Sequence, residues 1–105
     1  MSKIIVLFNL KDGVEPSRYE AWARDVDLPT VSSLSSVDGF EVFATQGLLG
    51  GGEAPYRYIE IIDTASLDAL GADIGTPAMQ QVAAQFQEFA DNPQFIVCEP
   101  LGQGG

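Results

Sequence analysis

Residues 56–89 read YRYIEIIDTASLDALGADIGTPAMQQVAAQFQEF, and this segment decides the fold of the chain. β-Branched and aromatic residues dominate Tyr56–Ile62, which predicts a strand. Thr64 is a suitable N-cap for a short helix over Ala65–Ile74. The break at Gly75-Thr76-Pro77 ends that helix and starts a longer amphipathic one. The apolar stripe of the second helix recurs at helical spacing in Met79, Val82, Ala83, Phe86, Phe89 and Ala90. This order predicts a small α+β domain around one polar-edged cavity.

The other elements follow from hydrophobic periodicity along the rest of the chain. The apolar run Lys3–Leu10 predicts a central strand, and Phe40–Thr45 and Gln94–Glu99 predict two more. Pro16 begins a helix, and Pro29 stops or bends it. The predicted order is β-α-β-β-α-β, the ferredoxin-like arrangement with an antiparallel four-stranded sheet. We expect one domain over residues 1–100 and a flexible tail over residues 101–105.

Both faces of the predicted sheet are apolar, which bears on the oligomeric state. The two helices cover one face, but Ile4–Phe8 and Phe95–Val97 offer apolar side chains to both faces. An open apolar face of this size is not tolerated on a monomer. We therefore predict a homodimer in which a second copy packs face to face. A monodisperse species with the mass of a single chain would refute it.

The charge balance limits the partners. The 105 residues include 15 acidic and 5 basic side chains, with no histidine, for a formal net charge of −10. A nucleic acid or an anionic membrane requires a basic surface, so both are poor partners. A neutral or cationic aromatic small molecule fits this charge better. The apolar run Ile4–Phe8 is too short for a signal peptide or a membrane span, which predicts a cytoplasmic protein.

The same composition limits the chemistry. Cys98 is the only cysteine in the sequence, and no histidine accompanies it. We therefore predict no metal site, no internal disulfide and no activated thiol.

Carboxylates are the strongest candidates for catalysis. Glu60 lies in mid-strand between isoleucines, where a carboxylate needs a partner or a proton. It can act as an acid or base, accept a hydrogen bond from a ligand N–H, or form a structural pair with Arg57, Arg24 or another side chain. Asp25 and Asp27 lie at the end of the first helix, where the helix dipole disfavours acids. They are either ligand contacts, a cap for the next turn or solvated surface.

Five further side chains are candidates for substrate binding. Tyr19 and Trp22 share an apolar stripe, so they are either core residues or one wall of an aromatic pocket. Tyr58 can stack on a ligand or offer its hydroxyl group. Asn9 ends the first strand, where its amide can turn into the cavity. Arg24 can hold a carboxylate or a thioester carbonyl, or pair with Glu20 four residues earlier.

The pattern resembles the dimeric α/β-barrel superfamily over nearly the whole chain. The resemblance rests on Tyr58–Ile61, Leu67–Leu70 and Asp73–Pro77. That superfamily includes cofactor-independent monooxygenases of antibiotic biosynthesis and muconolactone-isomerase-like proteins. Many members carry a histidine where this chain has Asp73, so a histidine-based mechanism is not carried over. The resemblance leaves Asp73 either as a carboxylate base or as an exposed helix-end residue.

A narrower resemblance rests on Trp22–Val31 and Leu34–Val37, which are similar to the RedY-like proteins of prodiginine pigment clusters. It implies a role in making a prodigiosin-type tripyrrole, in the bipyrrole aldehyde branch, without a cofactor. The leading hypothesis is a cyclase or condensation helper that uses Glu60 with Asp73 or Asp25. A non-catalytic protein that binds or delivers an intermediate is the rival hypothesis. A cofactor-independent monooxygenase is the third.

Overall fold

The structure is a computed structural model that describes residues 1–104. Its strands form one antiparallel sheet in the order β2-β3-β1-β4, which confirms the predicted α+β, ferredoxin-like class. The strands are β1 (Ser2–Leu10), β2 (Val37–Ala44), β3 (Tyr58–Thr64) and β4 (Ala90–Cys98). The helical elements are α1 (Pro16–Trp22), a π-helical turn (Ala23–Asp27), α2 (Leu28–Ser32), α3 (Leu67–Ile74) and α4 (Pro77–Phe89).

The strand register decides which side chains face the helices. Val6 lies opposite Glu60, and Phe8 lies opposite Tyr58, so these four side chains share one face of the sheet. Helices cover that face, and two adjoining apolar clusters fill the space between. One contains Val6, Phe8, Tyr19, Ala23, Tyr58, Phe86, Phe89 and Ala90; the other contains Val31, Val37, Phe40, Leu70, Met79 and Val82.

The opposite face of the sheet has no helix against it within residues 1–104. Phe43 and Ile96 are 43% and 42% exposed there. The side chains between them are half-buried and apolar: Ile5, Leu7, Ile59 and Ile61. This uncovered apolar face is the one for which the sequence predicts a second copy of the chain. None of the helices in the described residues combines the length and apolar character needed to cross a bilayer.

The first helical segment runs further than the sequence predicts. Pro29 neither stops nor interrupts it, because α1, the π-helical turn and α2 follow one another without a gap. Pro29 lies in the first turn of α2, where a missing N–H group is tolerated. The wider π-helical turn before it absorbs one extra residue. That turn determines which acidic side chains face the sheet.

Element ends also differ from the sequence-based prediction. The N-cap of α3 is Ser66, whose hydroxyl accepts a hydrogen bond from the backbone N–H of Ala69 at 3.1 Å. Thr64, predicted as the cap, is the last residue of β3, and its hydroxyl donates to the carbonyl of Ser36 at 2.6 Å. Strand β4 begins at Ala90, four residues earlier than predicted. It thus follows α4 directly, with Asn92 at a positive φ of 46°.

Candidate functional site

A cavity of about 400 Å³ lies between the helix-covered face of the sheet and the helices. Its wall is apolar except for two carboxylic acids, Asp27 and Glu60. Phe95 and Val97 on the edge strand line it while remaining 57% and 60% exposed, so they stand at its mouth. The remaining lining comes from Ile4, Val31, Leu34, Phe40, Ile62, Leu70, Ile74, Met79, Val82, Ala83 and Phe86.

Glu60 reaches this cavity from the middle of β3. Its position between Val6 and Val42 on the neighbouring strands leaves it only 5% exposed. Burial raises the pKa of its carboxyl group to about 8, and the nearby charge of Asp27 acts in the same direction. The Tyr19 hydroxyl donates a hydrogen bond to Glu60 Oε2 at 3.3 Å. Glu60 thus contacts a tyrosine and a second acid, and neither Arg57 nor Arg24.

Asp27 supplies the second carboxyl group from the π-helical turn and is also 5% exposed. Burial raises its pKa to about 6, although a hydrogen bond with Glu60 opposes that rise. The same hydrogen bond raises the pKa of Glu60 further. Glu60 is therefore the group that keeps its proton and donates a hydrogen bond to Asp27. Near neutral pH the cavity holds one carboxylic acid beside one carboxylate.

The cavity wall contains Asp27 and not Asp25. Asp25 lies on the exposed side of the helical segment, two residues before the buried acid. In the π-helical turn the buried positions are Ala23 and Asp27. The sequence marks Asp27 only as an acid near the end of a helix, where the helix dipole disfavours it, and the same is true of Asp25. The register of the π-helical turn alone decides that Asp27 is buried and Asp25 is exposed.

Tyr19 and Tyr58 lie beside the carboxyl pair in an aromatic cluster. Their ring centroids are 4.7 Å apart, and the ring of Phe8 stacks on Tyr58 at 5.5 Å. Burial raises the pKa of Tyr19, and the charges of Glu60 and Asp27 add to the effect. Burial also raises the pKa of Tyr58, whose hydroxyl donates to Glu20 Oε2 at 2.7 Å. Both tyrosines thus hold their protons and act as hydrogen-bond donors.

Trp22 is half-buried beside this aromatic cluster. Its indole N–H donates to Gln85 Oε1 at 2.8 Å, and its ring lies 6.4 Å from that of the cavity residue Phe86. It therefore stands behind the cavity wall.

Arg24 and Asn9 lie outside the main cavity wall. Arg24 is exposed, and its guanidinium lies 3.7 Å from Glu20 Oε1, which matches the predicted alternative of a pair four residues apart. Asn9 is exposed at the end of β1, where its amide oxygen accepts from the backbone N–H of Arg57 at 2.9 Å. Its amide nitrogen donates to the carbonyl of Pro55 at 3.2 Å. Asn9 thus fastens the end of the β2–β3 connection.

Asp73 is half-buried at the end of α3. Its carboxylate accepts a hydrogen bond from the backbone N–H of Ser36 at 3.2 Å. The next residue, Ile74, lines the cavity. Asp73 therefore ties α3 to the turn before β2, and its position supports a structural role.

A family model described as "REDY-like protein HapK" matches residues 2–101. Among solved structures, that of HapK from Hahella chejuensis is 30% identical, with a TM-score of 0.81 over 100% of this chain and 97% of that chain. No protein with a curated functional description matches in sequence.

Two more distant likenesses concern the fold. A dimeric ferredoxin-like protein of unknown function from Thermobifida fusca is 18% identical, with a TM-score of 0.71 over 91% of this chain and 87% of that chain. SnoaB, a cofactor-independent oxygenase from Streptomyces nogalater, is 11% identical, with a TM-score of 0.77 over 97% of this chain and 94% of that one. Because the family model matches nearly the whole length of this chain, the chain belongs to the REDY-like HapK family.

Proposed function

We propose that this protein acts on a flat, pyrrole-containing intermediate of prodiginine-type biosynthesis, which it binds in the cavity between the helices and the sheet. Glu60 and Asp27 assist condensation, cyclisation or dehydration by general acid–base catalysis. The proposed chemistry needs no cofactor. Tyr19 positions Glu60, and the rings of Phe40, Phe86 and Phe95 line the binding site.

The observation that carries this proposal is the pair of carboxyl groups in an apolar cavity. Two buried acids without a cation are costly to keep, since each loses its hydration. The pair holds a proton donor and a proton acceptor side by side near neutral pH, as its pKa values of about 8 and about 6 indicate. General acid–base catalysis is most effective with groups whose pKa lies close to the working pH.

The lining of the cavity favours a neutral or cationic aromatic substrate. Among residues 1–104, the side chains that line it include no lysine or arginine. A carboxylate or phosphate would thus meet Asp27 without a compensating charge. A pyrrole N–H can instead donate to the Asp27 carboxylate. The volume of about 400 Å³ is within the usual range for small-molecule sites.

Two further features of the proposal come from outside the cavity. We propose a homodimer formed through the uncovered apolar face of the sheet, an arrangement supported by the dimeric ferredoxin-like relatives. The cytoplasmic location stays a prediction, which cell fractionation tests.

The proposal is tested by incubating pure protein with a bipyrrole carbaldehyde and its pathway partner pyrrole. Binding is followed by the fluorescence of Trp22, the single tryptophan, which lies behind the cavity wall. Conversion is followed by mass spectrometry. We expect Glu60→Gln to bind the aldehyde and to lose turnover by about 10²–10⁴-fold, the range for a removed acid–base group. Glu88→Gln, the same change at an exposed site on α4, is the matched control.

The outcomes separate three functions. Binding with conversion that depends on Glu60 supports the proposal. Binding without conversion in the wild type supports a protein that shelters or delivers the intermediate. Conversion that stops without oxygen supports a monooxygenase. Full turnover by Glu60→Gln removes Glu60 from the mechanism, and no binding of the aldehyde contradicts the substrate class.

A further inference from the structure

A second, smaller cavity lies on the same helix-covered face of the sheet as the main cavity, but at the opposite edge. It has a volume of about 100 Å³ and lies at the β2 edge, whereas the mouth of the main cavity lies at the β4 edge. Tyr19, Glu20 and Tyr58 line it, together with Ala44. We call it the side cavity. Tyr19 thus has one side on the side cavity and its hydroxyl on Glu60, which lines the main cavity.

Two hydrogen-bonded pairs flank the side cavity, one at the buried acid and one at an acid that meets solvent. Tyr19 donates to Glu60 at 3.3 Å, and Tyr58 donates to Glu20 at 2.7 Å. The side chain of Glu20 is 32% exposed, so the second pair meets water. A liquid water molecule occupies about 30 Å³, so the side cavity has room for a few between the two tyrosines.

In the described part of the chain, the main cavity offers no hydrogen-bonding side chain between its mouth and the carboxyl pair. Its mouth is formed by Phe95 and Val97, and its lining apart from Asp27 and Glu60 is apolar. A bound substrate would also fill it. An acid that gives up its proton in one turnover must recover it before the next. The side cavity connects to Glu60 through the hydroxyl of Tyr19, without crossing the substrate site.

We propose that Tyr19, together with Tyr58, Glu20 and water in the side cavity, carries protons between Glu60 and solvent. The inference rests on the proposed function of Glu60 as an acid. In each transfer the Tyr19 oxygen accepts a proton from water as its own proton passes to the Glu60 carboxylate. One proton enters and one leaves, so Tyr19 stays neutral. The sequence predicts Tyr19 as a core residue or a pocket wall and Tyr58 as a substrate contact; in this proposal both act through Glu60.

The test measures proton exchange at Glu60 without any substrate. Wild-type protein is mixed rapidly with D₂O near neutral pH, and the infrared carbonyl band of protonated Glu60 is followed as it shifts. The band is assigned by its loss in Glu60→Gln. We expect Tyr19→Phe, which keeps the ring and removes the hydroxyl, to slow exchange at least about tenfold. Tyr58→Phe and Glu20→Gln should slow proton exchange several-fold. Glu20→Asp, which keeps a carboxylate at this position, should exchange at the wild-type rate.

A second variant separates the path from a simple loss of packing. Ala44→Leu fills the side cavity and leaves every hydrogen-bonding group in place, so it should slow exchange as Tyr19→Phe does. Tyr56→Phe and Glu88→Gln make the same chemical changes outside the path and should keep the wild-type rate. Thermal unfolding confirms that each variant is folded.

Wild-type exchange in both Tyr19→Phe and Ala44→Leu overturns the path. Because this experiment measures no turnover, a result that overturns the proton path is distinct from one that overturns the proposed function. Slow exchange in Tyr19→Phe together with full turnover by Glu60→Gln would keep the path and remove the catalytic role of Glu60.

Discussion

At the scale of single residues, Glu60 is buried in a position where two effects raise its pKa together. Loss of hydration is the larger effect, and the charge of Asp27 is the second. The Tyr19 hydroxyl opposes them, because it donates to the ionised carboxylate. The net result is a glutamic acid that stays protonated where most glutamates are ionised. The fold bears the cost of this arrangement, which supports the proposed role of Glu60.

The pairing of Glu60 with Asp27 predicts that a substitution at Asp27 changes the pKa of Glu60 and that the same substitution at Asp25 does not. Asp27→Asn removes the negative charge nearest to Glu60, so the pKa of Glu60 should fall towards its ordinary value. Asp25→Asn makes the same change two residues away on the exposed side and should leave that pKa where it is. Carbon-13 NMR of labelled glutamate side chains measures both titrations. Equal shifts in the two variants would contradict the placement of Asp27 in the cavity.

The raised pKa also predicts how stability changes with pH. The pKa of Glu60 is 4.5 unfolded and about 8 folded, so between these values the folded state binds more protons than the unfolded state. The free energy of unfolding therefore falls as pH rises through this window, by up to about 1.4 kcal/mol per pH unit for one group. Below about pH 4.5 Glu60 is protonated in both states, so it causes no loss of stability there.

Glu60→Gln has no proton to lose at this position, so its stability should decline less between about pH 5 and about pH 8. Urea unfolding of both proteins across this range measures the difference, which should widen as pH rises. Asp27 contributes a similar decline at lower pH in both proteins, since its pKa is also raised. Glu88→Gln should follow the wild-type curve. Parallel curves for wild type and Glu60→Gln would show that Glu60 titrates normally in the fold.

At the scale of elements, regular periodicity was enough to predict the order of strands and helices. The stripe of α4 is an example, because Met79, Val82, Phe86 and Phe89 are buried as their spacing predicts. Each of these positions is set by local sequence, since a helix repeats every 3.6 residues whatever lies nearby. The class of fold follows from that order, and so does the placing of Glu60 on the strand face beside Tyr58.

The π-helical turn could not be predicted, and the site depends on it. A residue inserted into a helix turns the next residues by about a quarter to a third of a turn, and no sequence pattern here marks the insertion. The acids Asp25 and Asp27 have similar sequence surroundings, yet one is exposed and the other is buried. Asp73 is a similar case, because its partner is the backbone N–H of Ser36, a contact distant in sequence. Tertiary contacts decided both outcomes.

At the scale of the whole molecule, the two faces of the sheet have different roles. The helix-covered face holds the cavity and its acids, and the uncovered face carries half-buried isoleucines with Phe43 and Ile96 at 43% and 42% exposure. The net charge of −10 keeps separate copies apart unless apolar contact outweighs the repulsion. The proposed dimer would bury this face and leave the cavity mouth at the β4 edge to be shared or exposed.

A charge placed on the uncovered face tests the dimer directly. Phe43→Glu introduces a carboxylate where the side chain is already partly in water, so the single chain should still fold. In the dimer that charge would be desolvated without a partner, at a cost of several kcal/mol, which should dissociate it. Light scattering and sedimentation should find twice the chain mass for wild type and one chain mass for Phe43→Glu. Leu48→Glu adds the same charge to an exposed residue of the β2–β3 connection and should remain dimeric. A wild type with one chain mass, or a Phe43→Glu that stays dimeric, would show that this face is not the interface.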